Sequence, residues 1–206
     1  MTGNKLEKDI IEIFNRDISS FYTINQISKK LNKAYPYINN KVNSLIKEGI
    51  LTKIVAGKSY LCTINLDSEK AIALLTLNEA EKKEKEIKNK KIKNIISEIK
   101  EIKNKFSIYT ILYYNSFNEK ENEKETLKET IIFVLDYIND KEAIKNSYPI
   151  LNKFNLIFFE IDSFENYLVK NYHLISKFIV LYSYEKYYEI LNEIKNKLLL
   201  KNKEKV

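Results

Sequence analysis

The clearest hydrophobic pattern in the chain lies between residues 23 and 51, TINQISKKLNKAYPYINNKVNSLIKEGIL, where apolar residues recur at helical spacing in two short segments. The repeating positions are Ile24, Ile27 and Leu31 in the first segment and Ile38, Val42 and Leu45 in the second. Each set falls on one face of a helix, and the remaining positions are polar or aromatic. The pattern therefore predicts two amphipathic helices joined by a turn.

Residues at the ends of this region fit the same interpretation. Thr23 with Gln26 three residues on forms a capping box, in which the hydroxyl accepts a backbone amide and the Gln side chain reaches back to the cap. Gly49 closes the second helix. Two β-favouring runs, Ile50 to Val55 and Ser59 to Asn65, follow on either side of Ala56-Gly57-Lys58, where Gly57 suits the positive φ of a tight turn. The sequence predicts a β-hairpin here.

The segments before and after this region are also predicted to be helical. Leu6 to Phe14 has helical spacing and predicts a first helix that covers the same core. Residues 67 to 105 favour helix throughout, starting at the capping oxygens of Asp67 and Ser68. Apolar residues, mostly isoleucine, recur at spacings of 3 and 4 and form a seam that is two heptads long. Two heptads are short for a coiled coil, so the seam either pairs two chains or packs on the segment that follows. Its positions are Ile92, Ile95, Ile99, Ile102 and Phe106.

The last segment, residues 106 to 206, changes to a mixed pattern. Strands are predicted at Ile108 to Tyr114, Ile131 to Tyr137, Leu156 to Ile161 and Phe178 to Tyr182. Helices are predicted at Lys141 to Lys153, Ser163 to Asn171 and Glu185 to Leu200. Continuous apolar strands alternating with helices imply a mixed sheet that is covered on at least one side.

Composition limits the class of protein. A hydrophobic content of 44% is enough for folded cores, no apolar run reaches the roughly 20 residues of a membrane span, and no signal peptide is apparent. We therefore expect a cytoplasmic protein with no membrane contact. The single Cys62 has no internal disulfide partner, and its place in a strand predicts burial. Net charge is +5 for residues 1–66, +3 for 67–105 and −1 for 106–206, so the positive excess lies in the part with the paired helices.

Residues 5 to 66 resemble the winged helix-turn-helix domain of MarR-like transcriptional regulators of prokaryotes. The segment YINNKVNSLIKEGILTKI is similar to the DNA-reading helix, the glycine and the first wing strand of that family. The resemblance implies binding to double-stranded DNA, with the start of the second helix at base edges. Asn suits adenine, Lys suits guanine or phosphate, and Tyr suits phosphate or thymine methyl groups. The predicted DNA-binding residues are Thr23, Gln26, Tyr35, Tyr37, Asn39, Asn40, Lys41, Ser44, Lys53, Lys58 and Tyr60.

Residues from about 91 to 200 resemble the minimal nucleotidyltransferase-like domain that some archaeal regulators carry behind a winged helix. The resemblance is most specific at HLISKFIVLYSYEKYYEILNEI, which is similar to the closing strand, turn and helix of that domain. In active members, a Gly-Ser pair ends the first strand and two carboxylates at i and i+2 open the second, where they hold magnesium.

This sequence departs from the catalytic pattern. The corresponding places read Tyr114-Asn115-Ser116-Phe117 and Leu127-Lys128-Glu129-Thr130. Two carboxylates at i and i+2 share one side of a strand and can share metal ions, whereas Lys128 and Thr130 cannot, and Glu129 points to the opposite face. Asp136 and Asp162 do not restore the pair. We therefore expect a catalytically inactive copy, with no metal or cofactor.

Other candidate chemistry is sparse. No Walker loop, GxGxxG, CxxC or HExxH motif is present, His173 has no evident partners, and a tyrosine cluster reads as the edge of a core. Its members are Tyr182, Tyr184, Tyr187 and Tyr188.

The sequence thus predicts an α+β protein in three segments: a winged helix-turn-helix domain at 1–66, a helical connector and possible dimerisation helix at 67–105, and a degenerate nucleotidyltransferase-like domain at 106–206. The expected function is sequence-specific regulation of transcription at promoters by a homodimer, the rear domain serving dimerisation or ligand sensing. Two alternatives stay open, an active nucleotidyltransferase targeted by its winged helix and a protein-interaction adaptor.

Overall fold

The computed structural model describes residues 5–56, 59–87, 90–114 and 129–203. It is a mixed α/β protein with two small sheets, and it divides into two compact units. The N-terminal unit comprises the chain up to Asn78 together with residues from Leu191 onward, and the central unit comprises Glu79–Ile190. The mixed α and β content agrees with the α+β class expected from the sequence.

The N-terminal unit begins with three helices and a hairpin. These are α1 Lys5–Arg16, α2 Ile24–Leu31, α3 Tyr35–Lys47, β1 Leu51–Ala56 and β2 Ser59–Ile64. β1 and β2 pair antiparallel, with Leu51 opposite Ile64 and Ala56 opposite Ser59. The two helices and the hairpin predicted from the periodicity are confirmed. The predicted positive φ of Gly57 lies outside the described residues.

The core of this unit forms where the apolar faces of the helices meet the hairpin. Ile38, Val42 and Leu45 of α3 are fully buried, as the spacing predicted. Ile27 of α2 is also buried, whereas Ile24 and Leu31 at the two ends of that short helix are only half-buried. Cys62 on β2 is buried as predicted, and it exchanges backbone hydrogen bonds with Tyr22 at 2.8 and 3.0 Å. The segment that enters α2 is therefore held against the hairpin.

The central unit contains a four-stranded mixed sheet. Its elements are α5 Lys90–Lys105, β3 Ile108–Tyr114, β4 Thr130–Leu135, α6 Asp140–Ser147, a 3₁₀ helix at Pro149–Lys153, β5 Asn155–Glu160, α7 Ile161–Lys170, a 3₁₀ helix at Tyr172–Lys177 and β6 Ile179–Tyr182. The strand order is β5-β4-β3-β6, with β4 and β5 parallel and the other pairs antiparallel. The prediction of a mixed sheet is confirmed.

Helices cover both faces of this sheet. The isoleucine seam of α5 is buried in one cluster with Ile111, Tyr113, Ile131 and Phe133, so the seam packs on its own sheet. On the other face, Phe164 of α7 packs its ring against Phe159 of β5 at 5.7 Å between centroids. β5 was predicted as a buried strand and is half-buried instead, because it lies at the edge of the sheet.

Within the predicted helical connector at 67–105, the structure describes two helical stretches. α4 runs from Glu69 to Ile87 and α5 runs from Lys90 to Lys105. The last helix, α8, runs from Tyr184 to Lys203, and its second half belongs to the N-terminal unit. There Lys195 Nζ donates to the carbonyl of Ile64 at 2.5 Å, and Asn192 Nδ2 donates to Asp67 Oδ1 at 2.8 Å.

The boundaries between the two units fall within α4 and α8. The buried Ala71 and Leu75 of α4 and the buried Leu191 and Ile194 of α8 belong to the N-terminal unit. None of the helices in the described part of the chain has the length and apolar character needed to cross a bilayer.

Candidate nucleic-acid interface

The start of α2 is fixed by the predicted capping box. The backbone amide of Gln26 donates to Thr23 Oγ1 at 3.2 Å, and the backbone amide of Thr23 donates to Gln26 Oε1 at 2.7 Å. These reciprocal bonds satisfy two amides that a helix start leaves without intrahelical partners. Thr23 and Gln26 thus position α2, and the Thr23 hydroxyl and Gln26 Oε1 are engaged within the cap.

The turn between α2 and α3 is short and exposed. Asn32 ends α2 with φ 50°, a left-handed conformation that Asn tolerates better than most residues. Ser28 Oγ donates to the carbonyl of Lys33 at 2.5 Å, which holds the turn against α2. α3 then begins with Tyr35-Pro36, and a proline in the first turn costs no intrahelical bond.

One side of α3 is left for a partner. With 3.6 residues per turn, Asn40 lies opposite the buried side formed by Ile38, Val42 and Leu45. Tyr37 is its neighbour three residues earlier, and Tyr35 is exposed at the start of the helix. The exposed fractions of Tyr35 and Tyr37 are 48% and 54%, which is high for aromatic side chains. We call Tyr37 and Asn40, together with Tyr35, which is exposed at the first turn on the side of Ile38, the outer face of α3.

Three other predicted residues of α3 are engaged within the chain. The Lys41 ammonium binds Glu7 Oε2 of α1, and only 16% of the Lys41 side chain and 20% of the Glu7 side chain are exposed. The expectation that Lys41 is an exposed residue is therefore wrong, because the acidic side chain of α1 covers it. Asn39 Oδ1 accepts from Asn43 at 3.1 Å, and Ser44 donates to Glu48 at 2.8 Å, so these two side chains are partly occupied.

The hairpin carries the remaining predicted residues. The Lys53 ammonium lies 3.5 Å from the centroid of the Tyr60 ring, a cation–π contact between β1 and β2. Val55 is directly opposite Tyr60 in the strand register and is 69% exposed. Cys62 is buried beneath this surface. Burial raises the pKa of its thiol above the ordinary value, and the nearby Lys53 offsets part of that rise. Lys58 lies outside the described residues.

The stretch of chain that carries the outer face of α3 is rich in lysine and poor in acidic residues. Residues 18–47 contain five lysines and no acidic residue, and Glu48 is the single acid between Asp17 and Asp67. Lys29, Lys30, Lys33 and Lys47 are exposed. None of these four was singled out from the sequence, although the absence of acidic residues between 18 and 47 was a signal that could have found them. A surface of this kind attracts phosphates.

A second set of candidates lies in the central unit, at the positions where the nucleotidyltransferase resemblance implies a pair of carboxylates. Thr130 is buried and accepts from Asn155 Nδ2 at 3.4 Å, and Glu129 accepts from the Tyr113 hydroxyl at 3.1 Å. Residues 115–117 and 127–128, which carry the other departures from the catalytic pattern, lie outside the described residues.

Asp136 and Asp162 lie together at the carboxyl ends of the parallel strands β4 and β5. They line a cleft of about 520 Å³ with Glu160, which was not singled out from the sequence. Ser107 Oγ donates to Asp136 Oδ2. Among the residues for which the structure gives positions, no group of three His, Cys, Asp or Glu side chains is arranged to hold a metal ion.

The remaining candidates are His173 and the tyrosine cluster. His173 is exposed, with its ring edge-on to Tyr172 at 6.2 Å. Tyr187 and Tyr188 are buried, and Tyr182 and Tyr184 are half-buried, as expected for the edge of a core. Burial and the nearby Glu79 raise the pKa values of Tyr187 and Tyr188 well above the ordinary value.

Comparison with known proteins gives no relative from which to carry over a function: no family model, curated protein or solved structure matches the chain.

Proposed function

We propose that this protein is a sequence-specific DNA-binding regulator of transcription. In this proposal the N-terminal unit acts as a winged helix-turn-helix domain of the MarR-like kind. The outer face of α3 enters the major groove of double-stranded DNA, and the hairpin lies along the sugar-phosphate backbone. The protein acts by occupying promoter DNA.

One observation supports the proposal most directly. Polar and aromatic side chains without a role in the core project from α3 at Tyr35, Tyr37 and Asn40, within an acid-free, lysine-bearing stretch of the chain. A helix that served only to pack would not be expected to combine two half-exposed tyrosines with cationic flanks. Side chains of these types supply both base-edge contacts and phosphate contacts.

For the central unit we propose a non-catalytic role in dimerisation or in sensing a ligand. Its sequence resembles a nucleotidyltransferase-like domain, but Lys128 and Thr130 stand where a pair of metal-binding carboxylates would be needed. Thr130 is buried against Asn155. The proposal therefore assigns DNA recognition to the N-terminal unit and no group transfer to the central one.

The experiment that tests DNA binding is a titration of random-sequence duplex DNA with the full chain at low salt, followed by selection of tightly bound fragments. The doubly substituted Tyr37→Ala, Asn40→Ala protein should lose selectivity. The matched control is Tyr137→Ala with Asn146→Ala, which removes the same residue types from exposed positions of the central unit. Absence of binding to any duplex would overturn the proposal and favour a protein-binding adaptor.

The non-catalytic role is tested by incubating the protein with labelled nucleotide and magnesium or manganese. No incorporation of label is expected. Incorporation that disappears in an Asp136→Ala variant would show that the cleft beside β4 and β5 is active.

A further inference from the structure

We infer that the outer face of α3 selects A·T base pairs, reading adenine through the amide of Asn40 and thymine through contact of its C5-methyl group with Tyr37 and Tyr35. The inference rests on the proposed function and specifies the class of DNA site that α3 recognises.

In the major groove, guanine presents two acceptors, O6 and N7, and is read most often by an Arg or Lys side chain. Lys41 is the single cation among residues 35–44, and its ammonium is bound to Glu7 and largely covered. The chain's one arginine, Arg16, lies on α1 and pairs with Glu12 at 2.9 Å. The first two turns of α3 therefore present no exposed cation to a guanine.

Adenine presents one donor at N6 and one acceptor at N7, which an amide side chain matches with two hydrogen bonds. Asn40 is exposed at the centre of the side facing away from the core. Its neighbour Asn39 already accepts a hydrogen bond from Asn43 and lies nearer the buried side. Asn40 is thus the amide placed to read adenine.

Thymine is the partner of adenine in the pair. Its C5-methyl group projects into the major groove and is read by apolar contact. The rings of Tyr37 and Tyr35 are about half exposed, so each has apolar surface available for that contact. Since Tyr37 and Asn40 are three residues apart on a helix, they are neighbours on its surface. They can therefore contact adjacent base pairs.

Lys47 and the lysines of α2 fit phosphate contacts better than base contacts. Lys47 is seven residues beyond Asn40, roughly 10 Å along the helix axis, at the end of α3. In helix-turn-helix proteins, base edges are contacted by the N-terminal residues of the reading helix. Lys47 and the lysines of α2 are accordingly placed to neutralise the backbone, which adds affinity without adding a preference for guanine.

The test selects bound sequences from random duplexes with the full-length protein and then modifies the best site. Enrichment of A·T pairs at the contacted positions is expected. Replacing thymine by uracil removes only the methyl group and should weaken binding roughly fourfold for each contacted methyl. Replacing adenine by 7-deazaadenine removes the N7 acceptor and should weaken binding of the natural protein but not of Asn40→Ala.

Variants make the assignment specific. Asn40→Ala should lose roughly ten- to hundredfold of the discrimination between A·T and G·C at one position. Asn146→Ala, at an exposed position of the central unit, is the matched control and should keep that discrimination. Enrichment of guanine contacts, or equal affinity for thymine- and uracil-containing sites, would overturn the inference while leaving DNA binding intact. Failure to bind any duplex would overturn both.

Discussion

At the scale of single residues, Gly49 shows how one backbone conformation ends α3. Its φ is 74°, its amide donates to the carbonyl of Ile46 at 3.0 Å, and the Ile50 amide donates to the carbonyl of Leu45 at 2.9 Å. This is the Schellman arrangement, in which a left-handed residue redirects the chain after a helix. It turns the chain from α3 into β1 and so fixes the hairpin relative to the helix.

Gly49→Ala should lower the free energy of unfolding by about 1 kcal/mol, because a left-handed conformation is costly for a residue with a Cβ. A Cβ atom placed at Gly49 would meet no atom within 4 Å, so the cost is conformational and involves no clash. Urea denaturation measures it. Asn32→Gly is the comparison, since Asn32 occupies the same region at the end of α2 and should not be destabilised. A neutral Gly49→Ala change would contradict this explanation.

The ion pair between Glu7 and Lys41 restricts the only cation in the first half of α3. Glu7→Ala should release the Lys41 ammonium and remove a negative charge, so duplex affinity should rise and the slope of log affinity against log salt should steepen by about one unit. Tolerance of guanine at one position should also increase. Fluorescence anisotropy at several salt concentrations measures all three.

Glu12→Ala is the control for this prediction, because it removes a carboxylate of the same helix that pairs with Arg16. Weaker binding by a folded Glu7→Ala protein would mean that the pair supports DNA binding by positioning α3.

At the scale of elements, α8 is tied to the sheet of the central unit through Tyr109 of β3. Its hydroxyl donates to Glu189 Oε2 at 2.8 Å, and Lys186 binds the same carboxylate at 2.8 Å. Burial, the hydrogen bond to Glu189 and the surrounding carboxylates raise the pKa of Tyr109 to about 12. This link therefore depends on pH in the alkaline range.

The folded chain keeps the Tyr109 proton above the ordinary tyrosine pKa of about 10, whereas the unfolded chain loses it there. The resulting stability is complete below about pH 10 and is lost as the pH rises through about 12. Tyr109→Phe should flatten this part of the pH dependence, as measured by chemical denaturation at a series of pH values. Tyr137→Phe, at an exposed tyrosine, should not. Parallel curves for natural and Tyr109→Phe proteins would contradict the prediction.

Elements with strong local signals were predictable from the sequence. The capping box of Thr23 and Gln26, the spacing of Ile38, Val42 and Leu45, and the turn at Gly49 are all set by residues within one or two turns of each other. These local rules were sufficient to place α2, α3 and the hairpin. The pairing of Lys41 with Glu7 was not predictable, because it joins residues 34 positions apart in sequence.

At the scale of the whole molecule, the missed features are also non-local. The isoleucine seam of α5 fits either chain pairing or packing on a sheet, and only the fold shows that it covers β3 and β4. The second half of α8 belongs to the N-terminal unit, in which Asn192 binds Asp67 and Lys195 binds the carbonyl of Ile64, more than a hundred residues away. Hydrophobic periodicity predicts which residues are buried, but it does not predict which element they pack against.

The proposed homodimer makes a prediction about the arrangement of the whole DNA site. A single helix and hairpin cover only a few base pairs, so two copies related by a twofold axis should read an inverted repeat whose halves are about one helical turn, roughly 34 Å, apart. The full repeat should therefore bind far more tightly than one half. Inserting half a turn of DNA between the halves places them on opposite faces of the duplex, and affinity should fall to that of a half-site. Gel shifts with the three duplexes, combined with sedimentation of the free protein, measure this directly. Equal affinity for the half-site and the full repeat would mean that the chain binds DNA as a monomer, and the dimer would then have no part in recognition.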